Sequence, residues 1–307
     1  MANSKLYRIK TVSEFHKLRN LPKPEHPLIS VIDYSLIRSN SDGNTERFIQ
    51  DFYSISLKHT TNAKITYGQQ LYDFDAGVLF FLAPNQVFSI QHSKQETGPL
   101  HTGWLLLIHP DFIWSTHLAK TIRQYDFFDY AVNEALFLSD KEELILNGII
   151  ENIRQEYHTN IDNLSQSIII SQIETLLNYS ERFYQRQFIT RKRANHQILE
   201  GLEDLLSDYF NKDDLISKGL PTVQYISEKL NVSVSYLSRL LKVLTGQSTQ
   251  QHIHDKLIDK AKEKLSTTNK TISEISYELG FEHLQSFSKL FKAKTSQSPM
   301  EFRAGFN

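Results

Sequence analysis

Two hydrophobic rhythms divide the chain. Between residues 28 and 110 apolar side chains come in short runs: "LISVID" (28–33), "FIQDFYSISL" (48–57), "AKITYG" (63–68), "GVLFFLAP" (77–84) and "GWLLLIHP" (103–110). The runs are rich in β-branched and aromatic residues and are bounded by Gly, Pro, Asn or Asp, which predicts strands. From Phe52 to Lys58 the polar Ser54 and Ser56 alternate with Tyr53, Ile55 and Leu57, the period of two expected of a strand with one buried face. Many short strands at close spacing favour a sandwich or a small barrel. "LPKPEHP" (21–27) resists helix, because each proline restricts the residue before it. It is expected to tie an N-terminal arm to the first strand.

Near residue 138 the rhythm becomes helical. Ser139-Asp140-Lys141-Glu142 reads as a helix start, followed by Leu144, Ile145, Ile149, Ile150 and Ile153. A second helix is predicted from Asp162 to about Gln187, with a stripe of Leu164, Ile168, Ile169, Leu176, Leu177 and Phe183. Two such helices cover either each other or a second subunit. The basic stretch "ITRKRANHQ" (189–197) reads as a linker, and the remainder of the chain has helical periodicity. The expected organisation is an arm and β-barrel over 1–137, a helical segment over 138–188, a linker over 189–199 and an all-α domain over 200–307.

Within that last domain the chain writes one motif twice. "SRLLKVLTGQS" (238–248) returns as "SKLFKAKTSQS" (288–298), and upstream "TVQYISEKLNVSVSYLSRLL" aligns with "TISEISYELGFEHLQSFSKLF", given one extra residue in the second turn. Each copy opens on a threonine able to cap a helix. Apolar residues follow at i, i+3 and i+7: Val223, Ile226 and Leu230, then Ile272, Ile275 and Leu279. Asn231 and Gly280 come next, residue types that tolerate a positive φ at a tight turn. A second helix follows each turn, with Leu237, Leu240 and Leu241 in one copy and Phe287, Leu290 and Phe291 in the other. The pattern predicts helix-turn-helix motifs over 222–244 and 271–294.

Packing explains the apolar positions and leaves Ser235, Ser238, Arg239 and Lys242 outside in the first copy, and Gln285, Ser288, Lys289 and Lys292 in the second. No acidic residue occurs from Val234 to Leu244 or from His283 to Lys294. An ordinary solvated face mixes signs. Short hydroxyls let a helix sit close to DNA, while Arg suits guanine and Gln suits adenine. Between the copies, "TQQHIHDKLIDKAKEKL" (249–265) carries Ile253, Leu257, Ala261 and Leu265 on one face. A helix of that length spans roughly 25 Å. It can hold two recognition helices near the ~34 Å of one DNA turn once their width is counted.

Charge adds weight to this. The formal net charge of the whole chain is −1, but residues 218–307 hold 13 Lys and Arg against 8 Asp and Glu, leaving 21 against 27 for the remainder. A basic end on an acidic body points to a polyanion partner at that end. Cysteine is absent, which excludes a disulfide framework, a thiolate zinc site and a cysteine nucleophile, and fits a reducing cytoplasm. The first twenty residues lack the apolar core of a signal peptide, and no apolar run approaches the ~18 residues of a membrane span. A cytoplasmic protein with no membrane partner is expected.

The residues from about 200 to 307 resemble the C-terminal DNA-binding domain of the AraC/XylS family of bacterial transcription regulators. The likeness is carried by "SYLSRLLKVLTGQS", the linker helix and "ISEISYELGFEHLQSFSKLFKAKTSQSPMEFR", with Gly280-Phe281 at the turn and Ser298-Pro299 before Phe302-Arg303. The resemblance implies two recognition helices in adjacent major grooves of double-stranded operator or promoter DNA. Its base-facing positions fall on Ser235, Ser238 and Arg239, then Leu284, Gln285, Ser288 and Lys289. Leu284 is apolar where a polar reader is common, and Lys289 replaces an arginine. The second helix is therefore expected to position more than it specifies. The N-terminal half more loosely resembles the cupin-like sensor barrel of that family, which implies a small effector or a signal-bearing partner. The family also implies a homodimer and, for an activator, contact with RNA polymerase.

No cofactor or metal is expected. His59 stands alone, His92 is followed by Ser93-Lys94, and the His-x-His pair His252/His254 lies on the linker helix, where i, i+2 side chains point about 200° apart. Those histidines are expected to be solvated. No phosphate loop or nucleophile elbow occurs. Tyr53, Phe80 and Phe88 are the candidates for an effector pocket wall. Few polar residues are expected inside the barrel, so an apolar or aromatic effector fits it best. Two alternatives stand beside this: a cupin-type enzyme with a basic helical tail, and a regulator that responds only to protein partners.

Overall fold

The computed structural model describes residues 6–37, 45–60, 66–67, 70–71, 77–91, 101–131, 134–158, 162, 164–211 and 215–305. The chain divides after Gln187 into two compact units.

The first unit opens with β1 (Leu6–Ile9) and α1 (Val12–Leu18), then β2 (Ile29–Asp33), β3 (Thr45–Gln50), β4 (Tyr53–Thr60), β5 (Thr66–Tyr67) and β6 (Gln70–Leu71). It continues through β7 (Val78–Leu82), β8 (Val87–Gln91), β9 (His101–Ile108), α2 (Pro110–Ile113), α3 (His117–Thr121) and β10 (Leu136–Phe137). The long helices α4 (Asp140–His158) and α5 (Ser165–Thr190) come next, the last three residues of α5 belonging to the second unit. The run expected as one strand over 48–57 is broken at Asp51-Phe52 into β3 and β4. The strands form a sheet β10-β7-β4-β9-β2, a sheet β1-β3-β8 and a ribbon β5-β6. Among the described residues the ladders do not close into a barrel. Of the run expected over 63–68, Thr66–Tyr67 is a strand and the rest lies outside the described residues.

Strand register corrects the expected single buried face of β4. Ser56 stands opposite Phe80 and Leu105, so Ser54, Ser56, Lys58, Phe80, Leu105 and Leu107 share one face. That face looks at the other sheet, because Leu105 and Leu107 pack with Phe48 and Phe52, and Gln50 donates to Ser54 Oγ at 2.8 Å. The opposite face, with Tyr53, Ile55 and Leu57, is covered by elements later in the chain. Trp104 donates from β9 to Asn147 of α4 at 2.8 Å, and the Tyr157 hydroxyl accepts from Val31 N at 3.0 Å. Both faces are buried, and the serines are at home inside because Gln50 satisfies one of them.

On α4 the buried line is Leu146, Ile149, Ile150, Ile153 and Tyr157, while Leu144 and Ile145 are exposed. On α5 the stripe holds from Ile169 through Leu176, Leu177 and Phe183, but Ile168, and Leu164 immediately before the helix, are exposed. Those two lie on the ridge of Ser171 and Thr175, one step around the helix from the packed side. Asp162 accepts from the amides of Leu164 and Ser165 at 2.7 and 3.0 Å and so starts α5.

The second unit consists of α6 (Lys192–Asn211), α7 (Leu215–Lys218), α8 (Val223–Lys229), α9 (Val234–Thr245), α10 (Thr249–Thr267), α11 (Ile272–Glu278), α12 (Leu284–Thr295) and α13 (Pro299–Ala304). The segment expected as a linker over 189–199 is helical apart from Arg191. One core joins α6 through Leu202 and Leu206, α10 through Ile253, Leu257, Ala261 and Leu265, and the two repeats through Ile226, Leu237, Ile275 and Phe287.

Candidate nucleic-acid interface

Local chemistry builds each repeat. Thr222 Oγ1 accepts from Tyr225 N at 3.1 Å to start α8, the chain reverses at Asn231 with φ 55°, and Ser233 Oγ accepts from Tyr236 N at 3.2 Å to start α9. Gly246, with φ 74°, ends it. In the second copy Thr271 and Glu274 form a reciprocal capping box at the start of α11. The turn falls on Gly280 with φ 81°, and α12 ends at Ser296 with φ 64°. A Cβ on Gly280 would lie 3.1 Å from the Leu215 carbonyl oxygen, so glycine serves both the turn and the approach of α7. The expected positive φ at Asn231 and Gly280 is observed. Between the copies α10 starts on the Ser248–Gln251 capping box and, at 19 residues, runs about 28 Å.

The nine expected contact residues fall on α9 and α12, and their openness differs. Ser235, Ser238 and Arg239 are half-buried and Lys242 is exposed; Leu284, Gln285, Lys289 and Lys292 are exposed and Ser288 half-buried. Ser238 Oγ lies 3.5 Å from Thr249 Oγ1. Lys242 Nζ donates to the Gly246 carbonyl at 3.0 Å, which holds that ammonium at the end of α9. Sequence reasoning missed Val234, which the fifty-residue offset makes the counterpart of Leu284, each being the first residue of its helix. A valine at a helix start reads as core, so only strict use of the offset would have found it. Also missed was Asp255 on α10, which accepts from Lys294 Nζ at 2.7 Å and from Gln247 Nε2 at 2.9 Å.

Glu278 on α11 accepts from Lys264 at 2.8 Å and from Lys270. These bonds, Lys264 first, hold its carboxyl below the usual carboxylate range. The His-x-His residues are not freely solvated as expected. His252 pairs with Thr245 Oγ1 at 2.9 Å and His254 with Gln250 at 2.9 Å, and burial lowers the pKa of both. His59 pairs with Glu143 at 2.9 Å, while His92 lies outside the described residues.

The effector candidates do not come together as expected. Phe80 and Phe88 lie on the faces that the two sheets turn toward each other, Phe88 stacked on Phe48 at 5.5 Å. Tyr53 is on the far face of β4, edge-on to Phe128 at 5.2 Å, and burial raises its pKa. Strand alternation thus removes Tyr53 from any space the two phenylalanines share. The inner face is also more polar than expected: besides Ser54, Ser56 and Gln50 it carries Lys58, whose ammonium sits 4.8 Å from the Tyr34 ring and 5.5 Å from that of Phe80.

Two helix-turn-helix motifs on a shared spacer helix define a class, that of double helix-turn-helix domains. Comparison with known proteins agrees: residues 226–305 match a family described as a helix-turn-helix domain. The chain is 32% identical over 145 residues to the uncharacterized HTH-type transcriptional regulator YfiF of Bacillus subtilis (strain 168), covering 47% of this chain and 42% of that one. It is 24% identical over 258 residues to the HTH-type transcriptional activator RhaS of Escherichia coli O81 (strain ED1a), covering 83% of this chain and 86% of that one. A solved AraC-type regulator structure from Chromobacterium violaceum aligns at 24% identity over 30% of this chain and 86% of that chain, with a TM-score of 0.28. The match spans less than half the length of YfiF. No helix among the described residues is long and apolar enough to cross a membrane.

Proposed function

We propose that the protein is a sequence-specific DNA-binding transcription regulator of the cytoplasm, acting at an operator or promoter through its second unit. The observation that carries this is the pair of helices α9 and α12, which present matching hydroxyl and cationic residues with no acidic residue on either helix. Ser235, Ser238, Arg239, Leu284, Gln285, Ser288 and Lys289 are the contacts to bases, and Lys242 and Lys292 those to phosphates. The first unit acts as a cupin-like sensor, and α4 and α5 as the segment through which two copies pair. An effector or partner biases how the copies present their DNA-binding units, which changes the half-sites engaged together. Of the apolar or aromatic effectors expected, an aromatic one is favoured by Phe80 and Phe88 on the inner sheet faces, which also carry the polar Ser54, Ser56 and Lys58. For an activator, RNA polymerase is the further partner.

The test is the affinity of the full chain for DNA upstream of its own gene against scrambled DNA of equal length, across a salt series. Preference for the native sequence at moderate salt supports the proposal. Equal binding that vanishes with salt overturns it, leaving only a basic surface. Bound metal in the purified protein would instead favour the enzyme alternative.

A further inference from the structure

Leu284 is a large apolar side chain left 39% exposed at the first position of α12. Val234 holds the same position of α9 and is likewise incompletely buried. Four and eight residues further along each helix stand a serine and a lysine: Ser238 and Lys242 after Val234, Ser288 and Lys292 after Leu284. Residues spaced i, i+4 and i+8 share one side of a helix, so each apolar residue heads the stripe that carries the proposed DNA contacts. The first turn of a recognition helix is the part that reaches base edges. An exposed apolar group gains from contact only with another apolar group, and the major groove offers one, the 5-methyl of thymine.

Building on the reading of the second unit as a DNA reader, we propose that Val234 and Leu284 each recognise a thymine methyl group. The target then carries a thymine at matching positions of two neighbouring half-sites, about one helical turn apart. This adds sequence information to α12, whose lysine at 289 lacks the rigid planar fork with which an arginine reads guanine.

The test uses the full chain and a duplex enriched by it from random-sequence DNA. Each thymine is replaced in turn by deoxyuridine, which removes the methyl group and nothing else, so the protein itself is unaltered in this arm. Two thymines about 10 base pairs apart are expected to lose roughly three- to fivefold in affinity, the scale of one buried methyl group. Leu284→Ala should abolish the sensitivity at one of them and Val234→Ala at the other. No sensitive thymine, or sensitivity that persists in both variants, overturns the proposal while leaving sequence-specific binding in place. A Leu284→Ala variant that weakens every duplex alike with an unchanged deoxyuridine pattern overturns it too. Failure to enrich any sequence would instead bring down both the proposal and the reading beneath it.

Discussion

Lys294 on α12 donates to Asp255 on α10 at 2.7 Å, and the other oxygen of Asp255 accepts from Gln247 in the loop after α9 at 2.9 Å. One carboxylate on the spacer helix thus ties the last turn of α12 to the exit of α9. The pair is 27% and 40% exposed, so Asp255→Asn should cost at most about 1 kcal/mol of stability, as measured by denaturant titration followed by circular dichroism. Binding to DNA with two half-sites should weaken more than binding to a single half-site. Equal loss on both would show that Asp255 does not set the separation of the helices.

The Glu278 carboxylate, drawn down by Lys264 and Lys270, predicts a pH dependence. A carboxyl whose folded-state pKa lies below its unfolded value of about 4.5 stabilises the fold above that pH. The contribution is lost as the pH falls through the lowered value. Glu278→Gln should therefore reduce stability at neutral pH and flatten its decline below about pH 4.5, the difference from the parent chain being the measure. His252 and His254 add a decline of the same sign below about 6.5, since burial lowers their pKa values too. That part should survive in the variant.

The two repeats were legible because their instructions are local. Thr222 and Thr271 cap, Asn231 and Gly280 turn, and leucines or phenylalanines at helical spacing fill the core, so motifs expected over 222–244 and 271–294 match helices that run from Val223 to Thr245 and from Ile272 to Thr295. The β unit was legible only as strands. Alternation separates Tyr53 from Ser54 but does not say which face meets the other sheet, because α4 and its neighbours bury the back of the sheet as fully as β3 buries the front. The order β10-β7-β4-β9-β2 rests on pairings between distant residues, for which the apolar runs carry no signal. Asp255 and Val234 escaped notice for related reasons: one acts through partners eight and thirty-nine residues away, and the other looks like ordinary core.

Gly103 provides a test of the sheet. It stands on β9 opposite Lys58 with φ +119°, and a Cβ there would lie 2.1 Å from the Leu57 carbonyl oxygen. Neither the backbone angle nor the neighbouring strand can accommodate a side chain. Gly103→Ala should cost about 3 kcal/mol or more. Both tryptophans, Trp104 and Trp114, lie in the first unit, so denaturation followed by tryptophan fluorescence reports that unit alone. An unchanged midpoint would mean that the register between β4 and β9 is wrong.

The proposed division of labour on α9 and α12 is testable by contrast. Arg239 has a planar fork that can pair with guanine O6 and N7, whereas Lys292 offers a point charge suited to phosphate. Arg239→Ala should cost about 1–3 kcal/mol on the preferred duplex and relax the preference at one base position. Lys292→Ala should weaken all sequences alike and lower the salt slope by about one counterion's worth. The contrast matters more than either loss, since removing any cation from a DNA-facing surface weakens binding. It is read by titrating both variants against the preferred duplex and a set of single-base changes at several salt concentrations. If Arg239→Ala lost affinity uniformly and Lys292→Ala selectively, the roles would be reversed. If both losses were uniform, base readout would lie elsewhere on α9 and α12, with Ser235, Ser238 and Gln285 as the residues to test next.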